Sequence, residues 1–533
     1  MRFRLHYSLP VFTLSLLSAC GGGGGGGSGG GSTPPPPPQA SVSLAVTTAP
    51  VNMDIAAGDE AGIKVEGTWS GQNLGTPVYL GVRDGAGRFV EPPVQTAAGA
   101  SFSFAVTTRA DLAPGTYAGS IEVLACKDAA CASSYPGAVK LAYTVKAAAV
   151  GDWEMHQRDA AHTGYVPITL NPARFAKAWE WTRTKDDPIG GINPVVTAGG
   201  KVYVTTDVYF GQGAVYALNE KDGSEAWRRA LGQVPAFGPP SVSKGRVYAG
   251  VTGHDETALW AFDAGAGDVL FKAGFSGQWP HVMAPTVIGD QVLTGAGYYG
   301  GETYAFSAST GARNWMHASG GVWDMWAPAA DDTYVYHHNG AALFIIDRAS
   351  GATVAKIDDL LGKASSSEYY GGPILGSRRN AISFAGGAFS GRASSNVEQY
   401  DQRVLSSFDL AQRRYSWSTA NAYLTTPALA EGVLYAGRNT PAVLDAMEEA
   451  TGKVLWSWFP PESAETLHRN IIVTRNLLFV STDRAVYAID LATRKSVWRY
   501  PEPGMLALSA DRTLYIATGG RESDGKLVAI RLK

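Results

Sequence analysis

The sequence predicts an all-β protein, an eight-bladed β-propeller preceded by an immunoglobulin-like β-sandwich, and three observations predict it. An aromatic-tipped strand recurs at Trp227, Phe271, Trp315, Trp417, Trp456 and Trp498, with Ala355 at the same place in one copy. The spacings are 44, 44, 40, 62, 39 and 42 residues, and a period near 42 with several short strands per copy is how a propeller blade reads. Residues 41–147 instead carry short alternating stretches separated by Gly, Pro and Asp, the pattern of a sandwich. The composition agrees: 64 glycines, 24 tyrosines and 17% charged residues fit an exported all-β chain.

Residues 1–19 read as a signal peptide, with basic Arg2 and Arg4 before an apolar run from Leu9 to Leu17 that is too short to span a bilayer. Leu17-Ser-Ala-Cys20 resembles the lipobox of bacterial lipoproteins; an ordinary signal peptide beside a cysteine is the alternative. The resemblance implies that the Cys20 sulfur is lipidated and that acyl chains anchor the protein. Gly21 follows in place of an inner-membrane retention aspartate, which favours the outer membrane. Residues 20–40 are a tether, flexible from Gly21 to Gly31 and stiffer through Pro34 to Pro38.

In residues 41–147 the expected strands are Ser41-VSLAV, Gly62-IKVEGTW, Pro77-VYLGVRD, Ser101-FSFAV, Gly115-TYAGSIEVLAC and Val139-KLAYTV. Cys126 and Cys131 flank a four-residue stretch and, in an exported chain, favour a disulfide; a metal site needs more ligands than this stretch offers.

Residues 151–533 hold the repeat. Each copy opens on a proline-led apolar stretch such as Asn193-Pro-Val-Val, since proline fits the first residue of a strand. A β-branched strand follows, as at Lys201-VYVTT, and then a hairpin. In the hairpin a glycine stands four residues before the aromatic, as in Gly223/Trp227, Gly267/Phe271, Gly311/Trp315 and Gly452/Trp456, supplying positive φ. Arg413 and Arg494 replace it in two copies, where a different turn is expected. The aromatic lies on the outer strand and is expected to pack against the next blade. The final copy lacks an outer strand, and Trp179-Glu-Trp181 within residues 173–182 matches the missing one, closing the ring and removing free edges.

The A-x-D-x-x-T-G-x-x-x-W hairpin resembles the repeat of PQQ-like propellers, a superfamily of quinoprotein dehydrogenases and non-enzymatic relatives, and Trp153-Glu-Met-His-Gln-Arg-Asp-Ala-Ala-His-Thr-Gly-Tyr165 resembles its entry strand. For the dehydrogenases this implies PQQ, a calcium or lanthanide held by Glu, Asn and Asp, an aspartate base and adjacent cysteines. The propeller has no cysteine, Asp331-Asp332 and Asp358-Asp359 read as turn residues, and short blades leave little loop for a site, residues 386–400 excepted. No catalytic residue, metal site or cofactor is expected, PQQ included. His337-His338 on one strand face opposite ways and are expected to have a structural or surface role; His156 and His162 are expected to lock the entry segment.

Function is then sought in loops. Those joining middle strands and those leading to the next blade share a face. There lie Tyr209, Phe210, Phe237, Trp279, His281, Tyr298, Tyr299, Trp323, Trp326, Tyr369, Tyr370 and Phe389. Exposed rings suit a protein partner or a glycan; the alternative is that they pack under their own loops. A net charge of −3 offers no basic surface for nucleic acid. A lipid-anchored propeller without a quinone site resembles the propeller subunit of the outer-membrane barrel assembly machinery. This implies a monomeric scaffold binding a periplasmic partner. A surface or periplasmic glycan or matrix binder is the competing reading, and a PQQ-dependent dehydrogenase the third.

Overall fold

In the computed structural model the described residues are 38–183, 191–254, 256–277, 284–295, 302–320, 328–362, 373–385, 402–439, 441–462, 464–519 and 524–533. The six stretches expected in residues 41–147 are strands, in two sheets. One orders Ser41–Val46, Gly62–Gln72, Ser101–Thr108 and Phe89–Val90; the other orders Val51–Ala56, Val139–Ala148, Gly115–Cys126, Tyr79–Asp84 and Gln95–Thr96. Period-two alternation builds the core between them. Along Ser101–Thr108 buried and exposed residues alternate without a break, and Val65, Phe104, Ile121, Val123 and Val145 are fully enclosed. Val51–Ala56 pairs parallel to Val139–Ala148, which local patterning does not announce. Cys126 and Cys131 form a disulfide, Cα to Cα 4.9 Å, at the base of the loop after Gly115–Cys126. Inside that loop Asp128 accepts from Ala132 N–H and Ser133 N–H at 2.9 and 3.0 Å; these bonds hold its carboxyl below the usual range.

The repeat region is a β-propeller. Six four-stranded antiparallel sheets and one nine-stranded sheet, itself two four-stranded units joined through Ala236 and Phe237 with the short strand Gly191–Ile192 added, make up the described blades. The first unit runs Val196–Ala198, Lys201–Asp207, Tyr209–Asn219 and Glu225–Phe237. The last runs Met505–Leu508, Thr513–Thr518 and Lys526–Arg531, and Ala176–Thr182 adds its outer strand, with Trp179 opposite Ala529 and Trp181 opposite Leu527. Pairing the beginning of the repeat with its end leaves no open inner edge at that seam.

One contact repeats between blades. At five junctions the outer-strand ring of one blade lies on the third-to-fourth-strand turn of the next. A Cβ at Gly223, Gly267, Gly311, Gly351 or Gly452 would come within 2.5 to 2.7 Å of Trp179, Trp227, Phe271, Trp315 or Trp417 respectively. The indole N–H groups of Trp179, Trp227 and Trp315 donate to carbonyls of those turns, Glu220, Ala264 and Arg348, at 2.9 to 3.0 Å. The five glycines have φ of 68° to 75°, the region costly for side chains. Arg413 and Arg494 were expected to mark another turn type, and the structure corrects this: their φ values are 53° and 60°. The turn is kept, and Arg494 reaches over the Trp456 ring at 5.8 Å, so a cation–π contact takes the place of the flat ring-on-glycine contact.

Candidate functional site

Hairpin geometry gives the propeller two faces. Turns joining first to second and third to fourth strands share one; connections joining second to third strands, and each unit to the next, share the other. Sequence reasoning sought function on the second. Of its candidates Trp279, His281, Tyr298, Tyr299, Trp323, Trp326, Tyr369, Tyr370 and Phe389 lie outside the described residues, as does Cys20. Phe237 is a correction: it is 2% exposed and belongs to the core, because its strand turns inward to pair with Val251. Tyr209 and Phe210 are each 53% exposed and meet edge to face at 4.8 Å. They stand where Tyr209–Asn219 and Glu225–Phe237 outgrow the five to seven residues usual for the other blades' third strands, so this ribbon rises at the loop face.

Under that face the strand ends are tied by buried polar networks. His338 Nε2 meets Asp359 Oδ2 at 3.1 Å with both side chains fully enclosed, and Ser406 Oγ donates to the other carboxylate oxygen at 3.1 Å. His337 turns the opposite way, its Nδ1 3.4 Å from Thr303 Oγ1, which in turn meets Ser319 Oγ at 2.6 Å. The two histidines therefore serve different blade junctions, and burial holds the His337 imidazole down to about 3. Asp331 is a turn residue, accepting from Thr333 and Tyr334 N–H at 2.8 and 2.7 Å. Asp359 is a turn residue too, its Oδ1 accepting from Leu361 N–H at 2.9 Å, and at 6% exposed it also ties two blades together just after the outer strand Thr353–Asp358. Asp445, fully buried and missed by sequence reasoning, accepts from Tyr423 OH at 2.9 Å, Arg438 Nε at 3.1 Å and Ser457 Oγ at 2.5 Å. Its strand Ala442–Glu448, buried throughout its centre, looks like any core strand, so only the odd polar residue in an apolar run could have signalled it.

Residues 152–166 bond the first strand of every described unit or the turn just beyond it. Backbone carbonyls of Trp153, Glu154, Ala160, Ala161, Thr163 and Gly164 accept from the N–H groups of Thr197, Val242, Ala330, Leu375, Leu429 and Val473, at 2.7 to 2.9 Å. His162 Nε2 meets Thr286 Oγ1 at 3.1 Å, and Asp152 Oδ1 accepts from Ala510 N–H at 3.2 Å. Gln157 donates to the Pro427 and Ile471 carbonyls and accepts from Asn470 Nδ2 at 3.0 Å. The His156 and His162 rings meet edge to face at 5.3 Å, and burial pushes His162 down to about 4.

A calcium-held quinone is the group this fold implies. The void left against the entry segment is about 20 Å³, room for about one water, far below the few hundred Å³ of a cofactor pocket. Asp359 and Asp445 spend their oxygens on neighbouring side chains. Among the described residues no three His, Cys, Asp or Glu side chains are placed to hold a metal ion. None of these described groups is placed to take a calcium-held quinone, and residues 278–283, 296–301, 321–327, 363–372 and 386–401 lie outside the described residues.

The family whose model matches is described as outer membrane protein assembly factor BamB, over residues 164–282 and 394–533. Among solved structures, a europium-containing methanol dehydrogenase aligns at 14% identity over 72% of this chain and 98% of its own, TM-score 0.55. A quinohemoprotein alcohol dehydrogenase from Comamonas testosteroni aligns at 15% identity over 71% and 80%, TM-score 0.51. BamB from Moraxella catarrhalis aligns at 16% identity over 67% and 98%, TM-score 0.48. A search of curated sequences gives no match. At these identities the two dehydrogenase structures show a shared fold alone. With the repeat, the blades and the family match in place, this chain is a PQQ-like repeat β-propeller protein that resembles BamB.

Proposed function

We propose that this chain is a non-enzymatic scaffold of the bacterial outer membrane, binding a protein partner through its loop face in outer-membrane protein assembly. In this reading residues 1–19 are the signal peptide and Cys20 carries the lipid. Residues 20–40 are the tether, 41–147 an immunoglobulin-like module, and 151–533 an eight-bladed propeller. The observation that carries it is the entry segment: residues 152–166 bond the first strand or the adjacent turn of every described unit and small voids lie beside them, which favours exposed loop residues as the binding element. The match to an assembly factor's family supports the same reading, as do Tyr209 and Phe210, a ring pair of the kind that anchors protein interfaces.

Crosslinking on intact cells followed by purification from membranes tests it. The expected result is one dominant periplasmic or outer-membrane protein partner. Recovery of carbohydrate without protein would favour the glycan reading.

One observation favours a quinone enzyme: the Asn193 amide carbonyl is fully buried at the loop-face end of the first unit with no donor facing it, and the fold is shared with dehydrogenases. Full-length protein mixed with PQQ and calcium should neither take up quinone nor reduce a dye with alcohols or sugars. Uptake and turnover together would replace the scaffold reading.

A further inference from the structure

The N-terminal module inserts one carboxylate into the propeller. Asp59, in the tight turn between Val51–Ala56 and Gly62–Gln72, is 2% exposed. Its Oδ1 accepts from Arg512 Nη2 at 2.7 Å and Thr169 N–H at 2.9 Å; its Oδ2 accepts from Arg475 Nη1 at 3.0 Å and Ala56 N–H at 3.3 Å. Arg512 Nη2 also donates to the Ala57 carbonyl at 2.9 Å, and Gly58 leaves the room its guanidinium occupies.

The two arginines come from particular places. Arg475 is in the first-to-second-strand turn of the penultimate unit, between Leu467–Val473 and Leu477–Thr482. Arg512 is in the same turn of the last unit, between Met505–Leu508 and Thr513–Thr518, with φ of 61°. That last unit is the one completed by Ala176–Thr182. Around the carboxylate, Asn476 bonds both backbone groups of Leu170 at 3.0 and 2.8 Å, and Ala56 packs into the propeller core. A buried carboxylate with four donors is stable only while all of them are in place, and removing one partner leaves an uncompensated charge.

We propose that the N-terminal module is the lock of the propeller ring: Asp59 clamps the last two blades at the seam where the chain's first and last repeat strands meet. Closure of the ring and docking of the module are then one event. The lock is on the turn face, which leaves the loop face uncovered, and it holds whatever the loops bind.

Hydrogen exchange on the full-length protein tests it. In Asp59→Asn, exchange in Ala176–Thr182, Thr513–Thr518 and Lys526–Arg531 should quicken on the order of tenfold or more. Thr286–Ile288 and Glu302–Ser307, far round the ring, should keep their rates. Arg174→Ala, which removes only the exposed pair with Glu60, should change neither set. Unchanged seam rates, or equal quickening all round the ring, would overturn the proposal. Should Asp59→Asn not fold, the unaltered protein in graded urea decides it. The module and the last blade must lose protection at one concentration; a module that opens first over an unperturbed seam contradicts the lock.

Discussion

The Trp179 ring lies flat against Gly223, and its indole N–H donates to the Glu220 carbonyl three residues earlier at 2.9 Å. Trp179 belongs to the strand that completes the last blade, and Gly223 to the third-to-fourth-strand turn of the first, so this pair seals the ring.

Gly223→Ala should destabilise the propeller by about 2–3 kcal/mol, from the left-handed backbone and a methyl forced into the ring. Arg494→Gly should change stability by no more than about 1 kcal/mol, since release of left-handed strain offsets the lost cation–π contact with Trp456. Urea unfolding followed by tryptophan fluorescence measures both, and the contrast between them is the check.

Glu220 gives the same seam a pH dependence. Burial between the first and last blades raises its carboxyl above the ordinary value, although Ser509 donates to it. A raised acid is protonated more readily folded than unfolded, so its contribution is fullest below the unfolded value and is lost as pH rises through the folded one. Glu220→Gln should therefore be as stable as the parent or more so at neutral pH. Its urea midpoint should fall less between pH 4 and 7 than the parent's; a steeper fall would contradict the assignment.

His162 acts in the opposite sense. Burial holds it to about 4 against an ordinary 6.5, so the folded protein resists its protonation. Stability from this group is full above the unfolded value and is lost as pH falls from 6.5 towards 4, by roughly 3 kcal/mol. His162→Asn, which keeps a residue tolerant of φ +59°, should show a shallower acid transition. Chemical unfolding across pH 4 to 7 reads the difference.

What the sequence disclosed and what it hid follow from range. The hairpin repeat with its glycine and aromatic, and the closing strand at Trp179-Glu-Trp181, were legible because each is written in a dozen contiguous residues. Which ring meets which glycine was not, since partners such as Trp179 and Gly223 belong to different blades. Arg413 and Arg494 were misread because arginine at positive φ looks like a broken rule until the neighbouring blade's residue is in view. Asp59 and its two arginines are more than 400 residues apart, and a single aspartate in a turn carries no mark of that. The entry segment is held mostly by backbone carbonyls, which no residue type announces. Of the aromatic face, Phe237 was misplaced because a ring at a strand end reads the same whether it points to core or solvent.

The scaffold account is tested most directly by one comparison. Full-length protein and its Tyr209→Ala, Phe210→Ala double variant are crosslinked in cells and recovered from membranes in equal amounts. The account predicts that the variant keeps the parent's unfolding midpoint and loses most of the captured partner protein, on the order of tenfold. Equal capture by the two, or a parent that captures no protein at all, would contradict it.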